Sequence, residues 1–172
     1  MIQRVDIEEL PLIRDNLVQL SELLVKVVNG GASIGFLPPM EDSAAHQYWQ
    51  DVMKPGVILL VAKIGDKIAG SVQLHLCTKP NGRHRAEIAK LMAHPDFRRN
   101  GIGRLLMEQA EERAKQEGCS LLVLDTREGD PSNHLYISTG FVEAGRIPNY
   151  ARSASGGLHA TVFYYKKIAS YS

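Results

Sequence analysis

The chain has 172 residues, with 20 Lys+Arg against 19 Asp+Glu and a formal net charge of +1. That length suits one ordinary domain, residues 1–172, and 44% apolar with 23% charged residues is a globular composition rather than a disordered one. Near-neutral charge excludes a polyanion binder working by bulk charge, so any basic site must be local.

A short strand is expected at Ile2–Val5. Leu10, Ile13, Leu17, Leu20, Leu24, Val27 and Val28 then recur at helical spacing until Gly30-Gly31 ends the run. Ala32–Met40 holds Gly35 and Pro38-Pro39 and reads as a loop. A second helix is predicted over Ser43–Met53, stopped before Pro55-Gly56. Val57–Ile64 and Ile68–Cys77 read as strands joined by a hairpin connection at Gly65-Asp66-Lys67. After the turn Lys79-Pro80-Asn81-Gly82, Ala86–Ala93 is a third strand of this antiparallel meander. Pro95 breaks it, and Asp96–Asn100 leads into Gly101-Ile102-Gly103. Ile102, Leu105, Leu106, Ala110 and Ala114 define an amphipathic helix ending at Gly118. Leu121–Leu124 is a fully apolar strand, as suits a sheet centre. A short helix over Ser132–Thr139 and strands near Phe141–Gly145 and Thr161–Lys167 complete an α/β order.

Several function classes drop out. Cys77 and Cys119 show no metal or redox spacing, and His46, His75, His84, His94, His134 and His159 form no ligand pair, so no metal is expected. The N-terminus lacks the pattern of a signal peptide, and the longest apolar run, Val57–Ala62, is far below the ~20 residues of a membrane helix. A soluble, reducing, cytoplasmic protein is expected. The basic run Lys79–Arg85 has no interleaved aromatic residues, which argues against nucleic acid. No low-complexity tract, repeat or linker divides the chain.

The most informative stretch is Arg98-Arg99-Asn100-Gly101-Ile102-Gly103. A helix N-terminus presents unpaired N–H groups and partial positive charge, glycines let phosphate approach, and two arginines add charge ahead of it. A tight turn with solvated arginines explains the same residues. A dinucleotide fingerprint fails because position 106 is Leu, and a P-loop fails because Arg104-Leu105 replaces Lys-Ser/Thr.

Arg98-x-x-Gly101-x-Gly103 between a strand and a long helix resembles the acyl-CoA pyrophosphate loop of the GNAT superfamily of N-acetyltransferases. The setting matches too: Ala86-Glu87-Ile88 to Met92 upstream, Leu121–Asp125 downstream, then Asn133, Tyr136 and Gly140-Phe141. The resemblance spans almost the whole chain. It implies a mixed central sheet with splayed parallel strands, Ala86–Ala93 and Leu121–Asp125, flanking helices, and acetyl-CoA as acyl donor in the cleft between those strands. The pantetheine arm would pair with the backbone of Leu91, Met92 and Ala93, and the pyrophosphate would sit on Arg98–Gly103, chiefly the amides of Arg99, Asn100, Gly101, Ile102 and Gly103. Asn133 matches a position that contacts the cofactor arm. More narrowly, Gly30-Gly31-Ala32-Ser33, Lys79-Pro80-Asn81-Gly82, Lys90-Leu91-Met92, Leu124-Asp125-Thr126 and Leu158-His159 resemble the tabtoxin-resistance branch of the family.

Acetyl transfer to an amine requires the ammonium to lose a proton and the thiolate to gain one. A tyrosine can donate to a thiolate while staying un-ionised at neutral pH. Tyr136 matches the family's general-acid tyrosine near the cofactor arm; a packed helix tyrosine is the plainer reading. For the base there are two carboxylates. Glu87 opens the central strand, where related enzymes often place a glutamate, and Asp125 ends an apolar strand at the edge where α/β sheets hold ligands. Glu87 suits a solvated strand end equally well, and Asp125 a turn cap. Two glycine- or proline-containing segments, Gly30–Met40 and Ile147–His159, are expected as loops flanking the acetyl end. In the fold that the resemblance implies they would bring Phe36, Tyr150, Arg152 and His159 to a compact acceptor, with Asp125 at its ammonium and Arg152 at a carboxylate; plain surface loops are the other reading. The resemblance thus implies an N-acetyltransferase for a small amine, monomeric or homodimeric. An acyl-CoA-binding regulatory module without turnover and an enzyme for a protein or peptide amine are the alternatives.

Overall fold

The computed structural model describes residues 3–171. The chain runs β1 (Asp6–Leu10), α1 (Leu17–Asn29), α2 (Asp42–Gln50), β2 (Val57–Ile64), β3 (Lys67–Leu76), β4 (Arg85–Ala93), α3 (Ile102–Gln116), β5 (Leu121–Arg127), α4 (Ser132–Ser138), β6 (Val142–Arg152) and β7 (Leu158–Lys167). The described strands form one seven-stranded sheet in the order β1-β2-β3-β4-β5-β7-β6. All neighbours are antiparallel except β4 and β5 at the centre. The result is a mixed sheet with helices on both faces.

Both faces of β2 are buried because both are covered. Ile58, Leu60 and Ala62 join a core with Leu106 and Ala110 of α3, while Leu59 and Val61 join one with Leu20, Leu24 and Trp49 of α1 and α2. That explains an apolar run instead of alternation. Leu106 is fully buried against the sheet at Gly70, whose missing side chain admits it. Leu106→Ala is expected to lower unfolding free energy by about 2–5 kcal/mol, read by denaturant titration.

Three expectations differ from the structure. Of the strand expected at Ile2–Val5, Ile2 lies outside the described residues and Gln3–Val5 carry no regular structure; β1 starts at Asp6. Leu10 ends that strand, pairing with Leu59, and α1 begins only at Leu17, because Pro11 separates two apolar patterns that read as one helix. At the other end, Ile147–His159 is not a loop. β6 and β7 continue through it as a long hairpin whose turn lies at residues 153–157. Pro148 is tolerated because β6 is an edge strand and bulges there, with the register passing from Ile147↔Thr161 to Ala151↔His159.

Candidate active site

The cleft begins where the central ladder stops. β4 and β5 pair in parallel only over Arg85–Glu87 and Leu121–Val123, and beyond Glu87 they part. On its other edge β4 bulges against β3: Ser71 faces Met92 and Gln73 faces Ala89, so Lys90 and Leu91 together oppose Val72. Lys90 carries φ +57, a left-handed conformation rare for a side chain with a Cβ. The bulge and the parting open a cavity of about 320 Å³, lined by β4, β5, α4, the α1–α2 loop and the β6–β7 hairpin.

The two carboxylates share this cavity but not their surroundings. Partial burial, with Asp125 nearby, pushes the Glu87 carboxyl above its ordinary value, and Lys90 opposes that shift. Asp125 accepts a hydrogen bond from Thr161 Oγ1 at 2.8 Å across the β5–β7 ladder. Burial pulls the Lys90 ammonium below its ordinary value, while Asp125 and Glu87 push it back up.

Tyr136 lines the same cavity from α4 and is 7% exposed, its ring 6.1 Å from Phe141 and 6.0 Å from Tyr164. Burial first, then Asp130 and Asp125, hold its phenol well above the ordinary value. A polar chain supports this wall. Ser132 Oγ donates to Asp130 Oδ2 at 2.5 Å, so Thr126 Oγ1 donates in turn to Ser132 Oγ at 2.7 Å.

The glycine loop stands at the start of α3. Arg99 and Gly101 have φ +67 and +70, and Gly101 is the N-cap residue of a 15-residue helix with no acidic side chain in its first turn. Asn100 Nδ2 donates to the Phe97 carbonyl at 3.0 Å, which fixes the turn, and its Oδ1 accepts from the Gln3 amide at 3.0 Å. Gly103 packs so closely that a Cβ would come 3.1 Å from Leu135 of α4. Leu91 lines the cavity, while Met92 and Ala93 pair with β3 and have no strand partner on the side from which β5 has departed.

The other expected site residues are distributed unevenly. Tyr150 reaches the main cavity from the β6 bulge, its ring against Phe163 at 5.9 Å. Phe36 and Arg152 line an adjoining cavity of about 210 Å³, with Arg152 Nη1 held by the Gly156 carbonyl at 2.6 Å. His159 lines neither; it bonds Ser153 Oγ at 3.0 Å in the hairpin. Asn133 is occupied structurally: its Nδ2 donates to the carbonyls of Arg127 and Asp130, and its Oδ1 accepts from Tyr164. Lys90, Arg127 and Ser132 were not expected at the site. Only Lys90 left a signal, as a charge inside the apolar run Ala89–Met92.

Solved acetyltransferases share this architecture. The structure of yncA from Salmonella typhimurium, determined with its cofactor acetyl-CoA, matches with a TM-score of 0.78 over 98% of this chain and 96% of that one, at 16% identity. In sequence, an uncharacterized N-acetyltransferase from the hisH-hisA intergenic region of Azospirillum brasilense is 33% identical over 128 residues, 71% of this chain and 76% of its own. An IAA acetyltransferase of the same organism is 29% identical over 139 residues, 80% and 84% of the two chains. The model of the acetyltransferase (GNAT) family matches residues 29–141. The chain belongs to the GNAT family of acetyltransferases, enzymes whose acyl donor is acetyl-CoA. Among the described residues no helix is long and apolar enough to cross a membrane, and no group of three or more His, Cys, Asp or Glu stands ready for a metal.

Proposed function

We propose that residues 1–172 act as one cytoplasmic N-acetyltransferase domain that acetylates a small, amino-acid-like amine by direct transfer. The observation that carries this reading is the convergence of Tyr136, Glu87 and Asp125 on one cavity where β4 and β5 part. The residues around it suit acetyl-CoA. The α3 N-terminus, with Gly101 in the left-handed region and Arg98 and Arg99 ahead of it, suits a pyrophosphate, and the open edge of Leu91–Ala93 suits the amides of the pantetheine arm. Asn133, with its amide already engaged, supports that wall indirectly.

Bound there, acetyl-CoA supplies an activated acyl group. Asp125 holds the acceptor ammonium, and Glu87, directly or through water, takes its proton so that the nitrogen lone pair attacks the thioester carbonyl. The C–N bond forms, the C–S bond breaks, and Tyr136 gives its phenolic proton to the departing thiolate. The second proton that the nitrogen sheds as the amide forms returns through water to Tyr136. The division of labour follows the environments: the carboxyl with the raised pKa is the base, and the buried neutral phenol is the acid. The α1–α2 loop and the hairpin line both cavities together, which suits a compact acceptor. The resemblance of Gly30–Ser33 and Lys90–Met92 to the tabtoxin-resistance branch of the family suits a role in toxin resistance.

Two measurements test this. Acetyl-CoA at about 100 times its dissociation constant is expected to stabilise the fold by about 2.7 kcal/mol as a rise in Tm, with no comparable rise from NAD. Gly103→Val, whose Cβ meets Leu135, is expected to weaken that rise. Acetyl-CoA consumption is then compared across free amino acids, their lactam relatives, polyamines and a lysine peptide. A clear preference for the peptide overturns the small-acceptor reading and leaves the family intact. No rise with acetyl-CoA overturns the donor site.

A further inference from the structure

The mechanism above leaves Lys90 unused, although it lines the same cavity as both carboxylates. Its Nζ donates to the Ile34 carbonyl at 2.6 Å and lies 5.3 Å from the Phe36 ring centroid. Between those two residues, a Cβ on Gly35 would come 2.8 Å from the same Nζ. Three successive residues of the α1–α2 loop therefore close around one ammonium. This loop has its own anchor: Gly31, at φ +90, ends α1 with its amide on the Val28 carbonyl while the Ala32 amide bonds Val27, a glycine-terminated cap that turns the chain toward the cleft. The cation is thus fixed in place at a left-handed bulge position, with Glu87 and Asp125 acting on it from β4 and β5.

We propose that Lys90 is the specificity-determining residue of the acceptor half: fixed under the Ile34–Phe36 loop beside Glu87 and Asp125, it favours amines with an anionic far end over those with a cationic one. The inference rests on the acetyltransferase reading and deepens it by naming the residue that sorts acceptors. With both carboxylates ionised, Glu87, Asp125 and Lys90 sum to one negative charge, which a single ammonium balances. A second ammonium meets Lys90 as a like charge. An anionic end instead finds an ammonium with three donors, of which Ile34 takes one; Arg127, which lines both the cleft and the adjoining cavity, is paired with Asp130 at 3.6 Å and adds only its remaining N–H donors.

The test holds acceptor length fixed and changes only the far end: 5-aminopentanoate, n-pentylamine and 1,5-diaminopentane, with acetyl-CoA. For the wild type, kcat/KM is expected to fall in that order. In Lys90→Met the ratio of 5-aminopentanoate to 1,5-diaminopentane is expected to fall about tenfold or more, through KM, while n-pentylamine changes least. Lys90→Arg keeps the charge and is expected to keep the order. Equilibrium binding of the three amines in the presence of CoA is measured in parallel, with Tm to show that each variant folds. An unchanged ratio in folded Lys90→Met overturns the proposal, as does failure of the wild type to bind 5-aminopentanoate more tightly than the diamine. Failure of the acetyltransferase reading looks different: the binding order stands but no amine consumes acetyl-CoA.

Discussion

Replacing Tyr136 by Phe is expected to lower kcat by about 10²–10⁴ while the dissociation constant of acetyl-CoA changes little. The change keeps the ring that packs against Phe141 and Tyr164 and removes only the hydroxyl. With those ring contacts kept, the fold is expected to survive, and a Tm within a few degrees of wild type separates lost chemistry from lost structure. The pH dependence adds a second criterion. Burial and the nearby Asp130 and Asp125 raise the phenol pKa, so the proton stays on Tyr136 through the neutral and mildly alkaline range. Alkaline loss of activity near the ordinary tyrosine pKa, or full activity in Tyr136→Phe, would move the acid role to water.

The legible parts of the molecule are those where local chemistry and global fold agree. Gly101 and Gly103, the apolar Leu121–Leu124 run and Tyr136 four residues before Gly140 each carry a local signal that survives folding. The acceptor end is different. Leu10 and Leu17 belong to one apolar period in sequence, yet Pro11 and the pairing with Leu59 divide them between a strand and a helix. Pro148 reads as a loop breaker, but an edge strand asks no ladder hydrogen bond of it, so β6 passes through. That difference moves Tyr150 onto a bulge over the main cavity and leaves Arg152 and His159 in the hairpin's own hydrogen bonds. Lys90 shows in the sequence only as a charge inside the apolar run Ala89–Met92, and its surroundings do not show at all. Its partners lie in the loop 54–56 residues earlier and on a strand 35 residues later, and its left-handed backbone arises from a bulge that no residue type announces.

The base can be identified by moving its pKa in two directions. Glu87→Gln is expected to lower kcat/KM by roughly 10² or more, since an amide cannot take the acceptor's proton. The pH profile makes the stronger case. Burial and Asp125 raise the Glu87 pKa and Lys90 lowers it. A base must be deprotonated to act, so the acid limb of kcat/KM falls as pH drops through that pKa. Removing the charge in Asp125→Asn takes away one raising influence: the Glu87 pKa falls and the limb moves to lower pH, even if the plateau is lower for want of an ammonium anchor. Removing the cation in Lys90→Met takes away the lowering influence: the pKa rises and the limb moves to higher pH. Ionisation of the amine itself contributes equally to all three profiles when one acceptor, n-pentylamine, is used throughout, so the displacement between variants reports the protein group. Opposed displacements are the signature of a carboxylate acted on by both charges. If both variants shift the limb the same way, or if Glu87→Gln keeps the wild-type profile, the base is Asp125 or water and Glu87 only shapes the field of the cleft.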